Sequence, residues 1–208
     1  MYEILALAYE LLSEFVPFMV ALILTRRHRG RYAQPLSWKA WIYPAVFALY
    51  VMAVFYITNP GTIYDVPRVR WESLGERVNL IPFSNEIHVP GYLLNIVMFL
   101  PFGFLVPMIW KGMDKLPRTA AASFAFSLLI EVSQLLSYRG TDVDDLIMNT
   151  LGGILGFLAY KLCSRVTGDK LQGRELPAVE LPVFILAVFL GRFFLFHRMG
   201  LIRLLYGE

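Results

Sequence analysis

The sequence predicts an all-α, polytopic membrane helical bundle of about six transmembrane helices with a kinked third helix, and three observations carry that prediction. Of 208 residues, 57% are hydrophobic and 15% aromatic, while charged residues fall to 17%, against about 25% in an average soluble domain. The mean hydropathy is +0.57. The apolar residues gather in blocks of about 20, the length at which a helix rising 1.5 Å per residue crosses roughly 30 Å of hydrocarbon. Finally, the basic residues collect in the short loops between the blocks, where they act as topology signals.

The blocks fall at 4–24, 38–58, 91–110, 119–137, 145–162 and 180–198. The first is expected to remain as a span. Met1-Tyr2-Glu3 lacks the positive n-region of a secretory signal, and no small-residue cleavage site follows the apolar run. Glu10 and Glu14 share one face of this helix, with Glu14 about 15 Å deep. In the third block Pro101 and Pro107 remove backbone donors and should bend the helix. Asn95, Phe99 and Gly103 recur every four residues there. Asn95 therefore either bonds a neighbouring helix or lines a cavity opened by the bend.

The fourth block carries Ser127, Glu131, Gln134 and Tyr138 on one face, a polar stripe that cannot meet lipid. Glu131 lies about 18 Å along that helix, where a charge must be paired or protonated. A glycine turn follows. Arg139-Gly140-Thr141-Asp142-Val143-Asp144-Asp145 sets three carboxylates and one guanidinium at the start of the fifth block. Asp142 or Asp144 is expected to cap the helix, accepting from free N–H groups at its positive end; capping does not account for all three. Asp145, Asn149, Gly152, Gly156 and Tyr160 share a face, and the Gly152/Gly156 spacing allows another helix to approach closely. Arg192 lies about 16 Å into the last helix. An isolated charge there is untenable, so it is expected to meet Glu14, or else Glu131, either to fix packing or to serve function.

Alternate loops divide the cations twelve to six, with Arg192 left inside a span. The richer side, comprising the loops around 26–39, 111–118 and 161–174, is cytoplasmic by the positive-inside rule. Both termini are then extracytoplasmic, and segment 59–90 and loop 138–144 lie together on the outer side. Asn79-Leu80-Ile81-Pro82-Phe83 is either an interfacial or re-entrant element or an aromatic-anchored loop. The chain divides into an N-terminal helix with its basic loop (1–37), a transmembrane core (38–162) and a loop with a C-terminal helix (163–208).

Several function classes are disfavoured. A net charge of +3 does not imply nucleic acid, because the cations are not interleaved with aromatics on one surface. Cys163 is the single cysteine, so no internal disulfide forms. His28, His88 and His197 are scattered, and no metal site is expected from them. G-x-S-x-G, H-E-x-x-H and P-loop patterns are absent, and no cofactor is indicated.

Asn79-Leu80-Ile81-Pro82-Phe83, then Asn95, Phe99, Pro101, Phe102, Gly103 and Pro107, then Glu131, Gln134, Arg139, Asp142, Asp144, Asp145, Asn149, Gly152 and Gly156 occur in an order that resembles the VanZ-like family over about residues 40–162. The resemblance implies a bacterial cell-membrane protein associated with low-level teicoplanin resistance, without remodelling of the dipeptide precursor. It gives no molecular mechanism. Three activities remain open. The favoured one is non-enzymatic: an outward-facing polar cavity binds or occludes a lipid-linked cell-wall component, limiting access of lipid-anchored glycopeptide antibiotics. Arg139 would grip a phosphate there, above Glu131, Gln134 and Asn149, with Asn79, Asn95, Asp142, Asp144 and Asp145 around them. The second is an intramembrane enzyme acting on an isoprenoid-phosphate or other envelope lipid, with Glu131 as base or the three aspartates holding a divalent cation. The third is transport through Glu10, Glu14, Glu131 and Arg192. Membrane lipids are partners in every case.

Overall fold

A computed structural model of the chain describes residues 2–30, 37–69, 71–73, 75–84, 88–137, 140–168, 176–197 and 199–201. Six α-helices order these residues: α1 (Tyr2–Gly30), α2 (Lys39–Thr58), α3 (Val89–Ile109), α4 (Leu116–Gln134), α5 (Val143–Thr167) and α6 (Glu180–Leu195). Helices α1, α2, α3 and α5 are long and apolar enough to cross a membrane. The other two fall short for different reasons. The 16 residues of α6 extend about 24 Å. In α4 the buried face carries Ser123, Ser127, Glu131, Ser133 and Gln134; Ser123 and Ser133 bond carbonyls of α4 itself, while Ser127, Glu131 and Gln134 meet α5, β3 and α2, and these polar groups dilute its apolarity.

The helix ends follow from local chemistry. Arg27, His28 and Arg29 fill the last turn of α1 and Arg165 that of α5, where cations suit the negative end of the dipole and let the helix outrun its apolar block. Asn59 ends α2 in a left-handed conformation, φ 48°, with its N–H on Phe55 O, and Pro60 prevents continuation. Two parallel ladders tie the connections together. Strand β1 (Val78–Asn79), ahead of α3, pairs with β3 (Thr141–Asp142), ahead of α5. Strand β2 (Trp110–Lys111), between α3 and α4, pairs with β4 (Leu176–Pro177), just before α6.

The core is aromatic. Phe102 stacks on Phe126 at 5.1 Å, and Phe47 meets Trp110 edge-on at 4.7 Å, geometries that suit the ring quadrupole. Tyr50 donates to Met98 O at 2.9 Å, binding α2 to α3 beside Pro101. Leu49, Leu94 and Leu158 turn outward, as side chains do where the surrounding solvent is hydrocarbon.

The tightest contact joins α3 to α5. A Cβ at Gly156 would meet Leu100 O and lie 3.0 Å from Gly103 Cα; one at Gly152 would meet Ile96 O and lie 2.9 Å from Ile96 Cα. Backbone stands against backbone there, with no flexible side chain to yield. Gly156→Leu is therefore expected to separate α3 from α5 and lower the thermal midpoint of the detergent-solubilised protein by several degrees, whereas Gly75→Ala, with nothing within 4 Å, should leave it unchanged. Equal midpoints for wild type and Gly156→Leu would refute the close approach.

Candidate functional site

The site assembles where α5 begins. Asp142 has extended backbone, φ −124°, and its Oδ1 accepts from Asp144 N at 2.9 Å, closing the first turn of α5. Its carboxylate also accepts from Asn79 Nδ2 at 3.2 Å, across the register pair Asn79–Asp142 of the β1–β3 ladder. Asn79 Oδ1 in turn accepts from Ile81 N and Ser84 Oγ, at 3.2 and 3.0 Å, and folds the 79–84 loop back on itself. Phe83 takes a left-handed conformation, φ 56°, which a non-glycine residue adopts only when its surroundings hold it. Asp144 does so. Its Oδ1 accepts from Phe83 N at 2.9 Å and its Oδ2 from Tyr92 Oη at 2.5 Å. With a backbone N–H on one oxygen and a phenol on the other, Asp144 is only 2% exposed, and the Phe83 and Tyr92 rings meet edge-to-face.

Asn95 donates to Asp145 Oδ1 at 2.6 Å, so the first two turns of α3 are joined twice to the first turn of α5. Glu131, 3% exposed, accepts from Asp142 N at 3.3 Å through Oε2, and Thr141 Oγ1 donates to Glu131 O at 2.9 Å. Gln134 donates to Thr58 O at 2.8 Å, one of the last carbonyls of α2. Asn149 donates to Ser127 Oγ at 2.9 Å, while its buried Oδ1 has no hydrogen-bond partner among the described residues. Arg77 closes the other end of the loop, donating to Ser137 O and Leu135 O just past α4. Thus Asn79, Asn95, Glu131, Asp142, Asp144 and Asp145 meet at the starts of α3 and α5 and the end of α4, while Gln134 and Asn149 bond Thr58 O and Ser127 beside them. Arg139 and Tyr138 lie outside the described residues.

The three carboxylates of the turn take different donors: Asp142 takes Asn79, Asp144 takes Phe83 N and Tyr92, and Asp145 takes Asn95. Among the described residues no three His, Cys, Asp or Glu side chains form a group able to hold a metal ion. The network presents acceptors and amides beside an apolar tip, because Leu80 and Ile81 are 71% and 69% exposed. Tyr92 is the member that the sequence reading passed over. It precedes Asn95 by three residues and so shares its helix face, which was the available signal.

Arg192 occupies a second polar centre. It is 1% exposed and donates to Glu10, to Glu14 Oε1 at 3.2 Å and to Asn59 Oδ1 at 2.9 Å. Glu131 is held elsewhere, by Asp142 N. A cavity of about 190 Å³ opens beside Arg192, bordered by Arg68 and by Tyr64 stacked on His197 at 3.9 Å. A third buried pair, Arg26 with Glu180 at 2.8 Å, joins the far ends of α1 and α6.

A family model described as VanZ/LLP1 matches residues 41–164. The chain is 29% identical over 132 residues to Protein VanZ of Enterococcus faecium, an overlap covering 63% of this chain and 81% of that relative. No solved structure matches the chain. The matched stretch contains the whole network around Asp142 and Asp144, whereas Glu10, Glu14 and Arg192 lie outside it.

Two outcomes are expected. Asp144→Ala frees Phe83 N and Tyr92 Oη, each such bond to a charged group being worth about 1.5–3 kcal/mol. In a Cys163→Ser, Ile81→Cys background it should speed maleimide labelling at position 81 with helical content unchanged; an unaltered rate would mean the loop is held otherwise. Arg192→Met strands two buried carboxylates and should cost about 3–5 kcal/mol. Adding Glu10→Gln and Glu14→Gln should recover most of the lost thermal stability, and no recovery would show that packing, not charge, is at stake.

Proposed function

The chain belongs to the VanZ/LLP1 family of membrane proteins, and from that premise we propose that it acts at the outer face of a bacterial cell membrane, binding or occluding a lipid-linked envelope component and so contributing to teicoplanin resistance. In this reading α4 and α6 also cross the membrane, both termini are extracytoplasmic, and the network around Asp142 and Asp144 faces outward. One observation carries it: buried Asp144 with half-buried Asp142 and Asn79 holds an exposed apolar loop, Leu80 to Phe83, at the same end of the bundle. That juxtaposition suits an amphiphile. Hydroxyl and amide donors of a sugar or peptide headgroup pair with carboxylate acceptors, while its hydrocarbon chain lies against leucine, isoleucine and phenylalanine. Arg139, two residues before the β3 strand, supplies the cation for a linking phosphate.

Binding is favoured over catalysis by how the carboxylates are engaged. Asp142 and Asp144 accept from protein N–H and O–H groups, which suits a preorganised surface more than ligation of a divalent ion.

The reading is tested by expressing the wild type, Glu131→Gln, Arg139→Ala and Asp142→Asn in a teicoplanin-sensitive host at matched membrane levels. The wild type should lower susceptibility and surface drug binding, and the variants should lose most of that protection. Equal protection by every protein would make the network structural, and none from the wild type would remove the resistance role. A Leu80→Cys, Cys163→Ser protein in intact cells should react with a membrane-impermeant maleimide; reaction only after lysis would invert the orientation.

A further inference from the structure

At the other end of the bundle from the Asp142 network, α4 and α6 enclose a groove of about 470 Å³. Its walls are Ala122, Ala125 and Leu129 on one helix and Leu181, Ile185 and Leu186 on the other, closed at one end by Met113 and Ala178. The lining is almost wholly apolar, and the volume falls in the range of small-molecule sites, about 300–1,000 Å³. Two features keep the groove open. Small alanines stand where larger side chains would fill it, and the β2–β4 ladder ties together the segments that lead into α4 and α6. From Ala122 to Leu129 the α4 wall runs about 10 Å, within the roughly 15 Å hydrocarbon depth of one leaflet.

The turn at the closed end is predominantly basic. Lys111, Lys115 and Arg118 are exposed on the turn that supplies Met113, and Arg118 is steadied by donating to Gly112 O at 2.8 Å. Asp114, the acidic residue of that turn, is half-buried. Glu180, at the start of α6, is neutralised by Arg26. A basic rim over an apolar slot of leaflet depth matches one molecule: a membrane lipid with an anionic headgroup.

We propose that the groove between α4 and α6 is a binding site for an anionic phospholipid, one acyl chain lying between the helices and the phosphate held by Lys111, Lys115 and Arg118. The lipid completes the packing that the alanines leave open and staples α6 to α4, on the leaflet opposite the Asp142 network.

Native mass spectrometry of the full chain in detergent tests this with dioleoylphosphatidylglycerol and dioleoylphosphatidylcholine, which share the same chains. The wild type should retain one phosphatidylglycerol per chain at concentrations on the order of tenfold below those needed for phosphatidylcholine, given three cations near one phosphate. Lys111→Gln, Lys115→Gln and Arg118→Gln together should abolish that preference while leaving weak retention of both lipids. Ala125→Phe and, independently, Ala122→Phe should reduce retention of both lipids at wild-type helical content. Equal retention of the two lipids by the wild type, undiminished retention in both phenylalanine variants, or a lipid-free dimer showing that a second copy occupies the groove would overturn the proposal.

Discussion

The approach of α3 to α5 at backbone contact is the constraint on which the rest of this structure depends. Gly103, Gly152 and Gly156 let the two helices touch along their lengths. In hydrocarbon, where apolar burial offers little drive for helices to associate, such contact gains its energy from dispersion over matched surfaces. It also sets the first turns of the two helices side by side. Only at that spacing can Asn95 reach Asp145, Tyr92 reach Asp144 and the β1 strand pair with β3.

The polar network is the second layer built on that contact. A carboxylate withdrawn from water must find donors, and Asp142 and Asp144 find them in the turn of α5 and in the folded 79–84 loop. The loop thereby holds Phe83 in a left-handed conformation and keeps Leu80 and Ile81 exposed. An apolar tip fixed by polar anchors serves recognition of an amphiphile better than a free loop, because less ordering entropy is lost on binding.

Helices α1 and α6 are joined by a different device. Arg192 gathers Glu10, Glu14 and Asn59 at one end, and Arg26 takes Glu180 at the other. Both centres are buried, so removing one partner leaves charge in a low dielectric. Helices α1 and α6 fall outside the matched stretch 41–164; the ion pairs join them to each other, and the Arg192–Asn59 hydrogen bond ties α6 to the residue that ends α2. The alanine-lined groove is where α4 and α6 leave space between them.

The sequence by itself determined the membrane character and the helical class, because block length and hydropathy depend only on composition along the chain. It also determined that Glu131, Arg192 and the Asp142–Asp145 turn needed partners, since a charge in an apolar block has no other resting state. What only the tertiary structure decided was the identity of those partners. Tyr92, Phe83 N and Thr58 O became partners of Asp144 and Gln134, and nothing in their local sequence marks a backbone N–H or carbonyl for a distant side chain. Helix ends shifted as well: apolar blocks record hydrocarbon, whereas α1 and α5 run past them on basic last turns that suit the helix dipole. Pairings between residues 50 to 182 positions apart depend on which helix faces meet, and periodicity gives the faces without giving their neighbours.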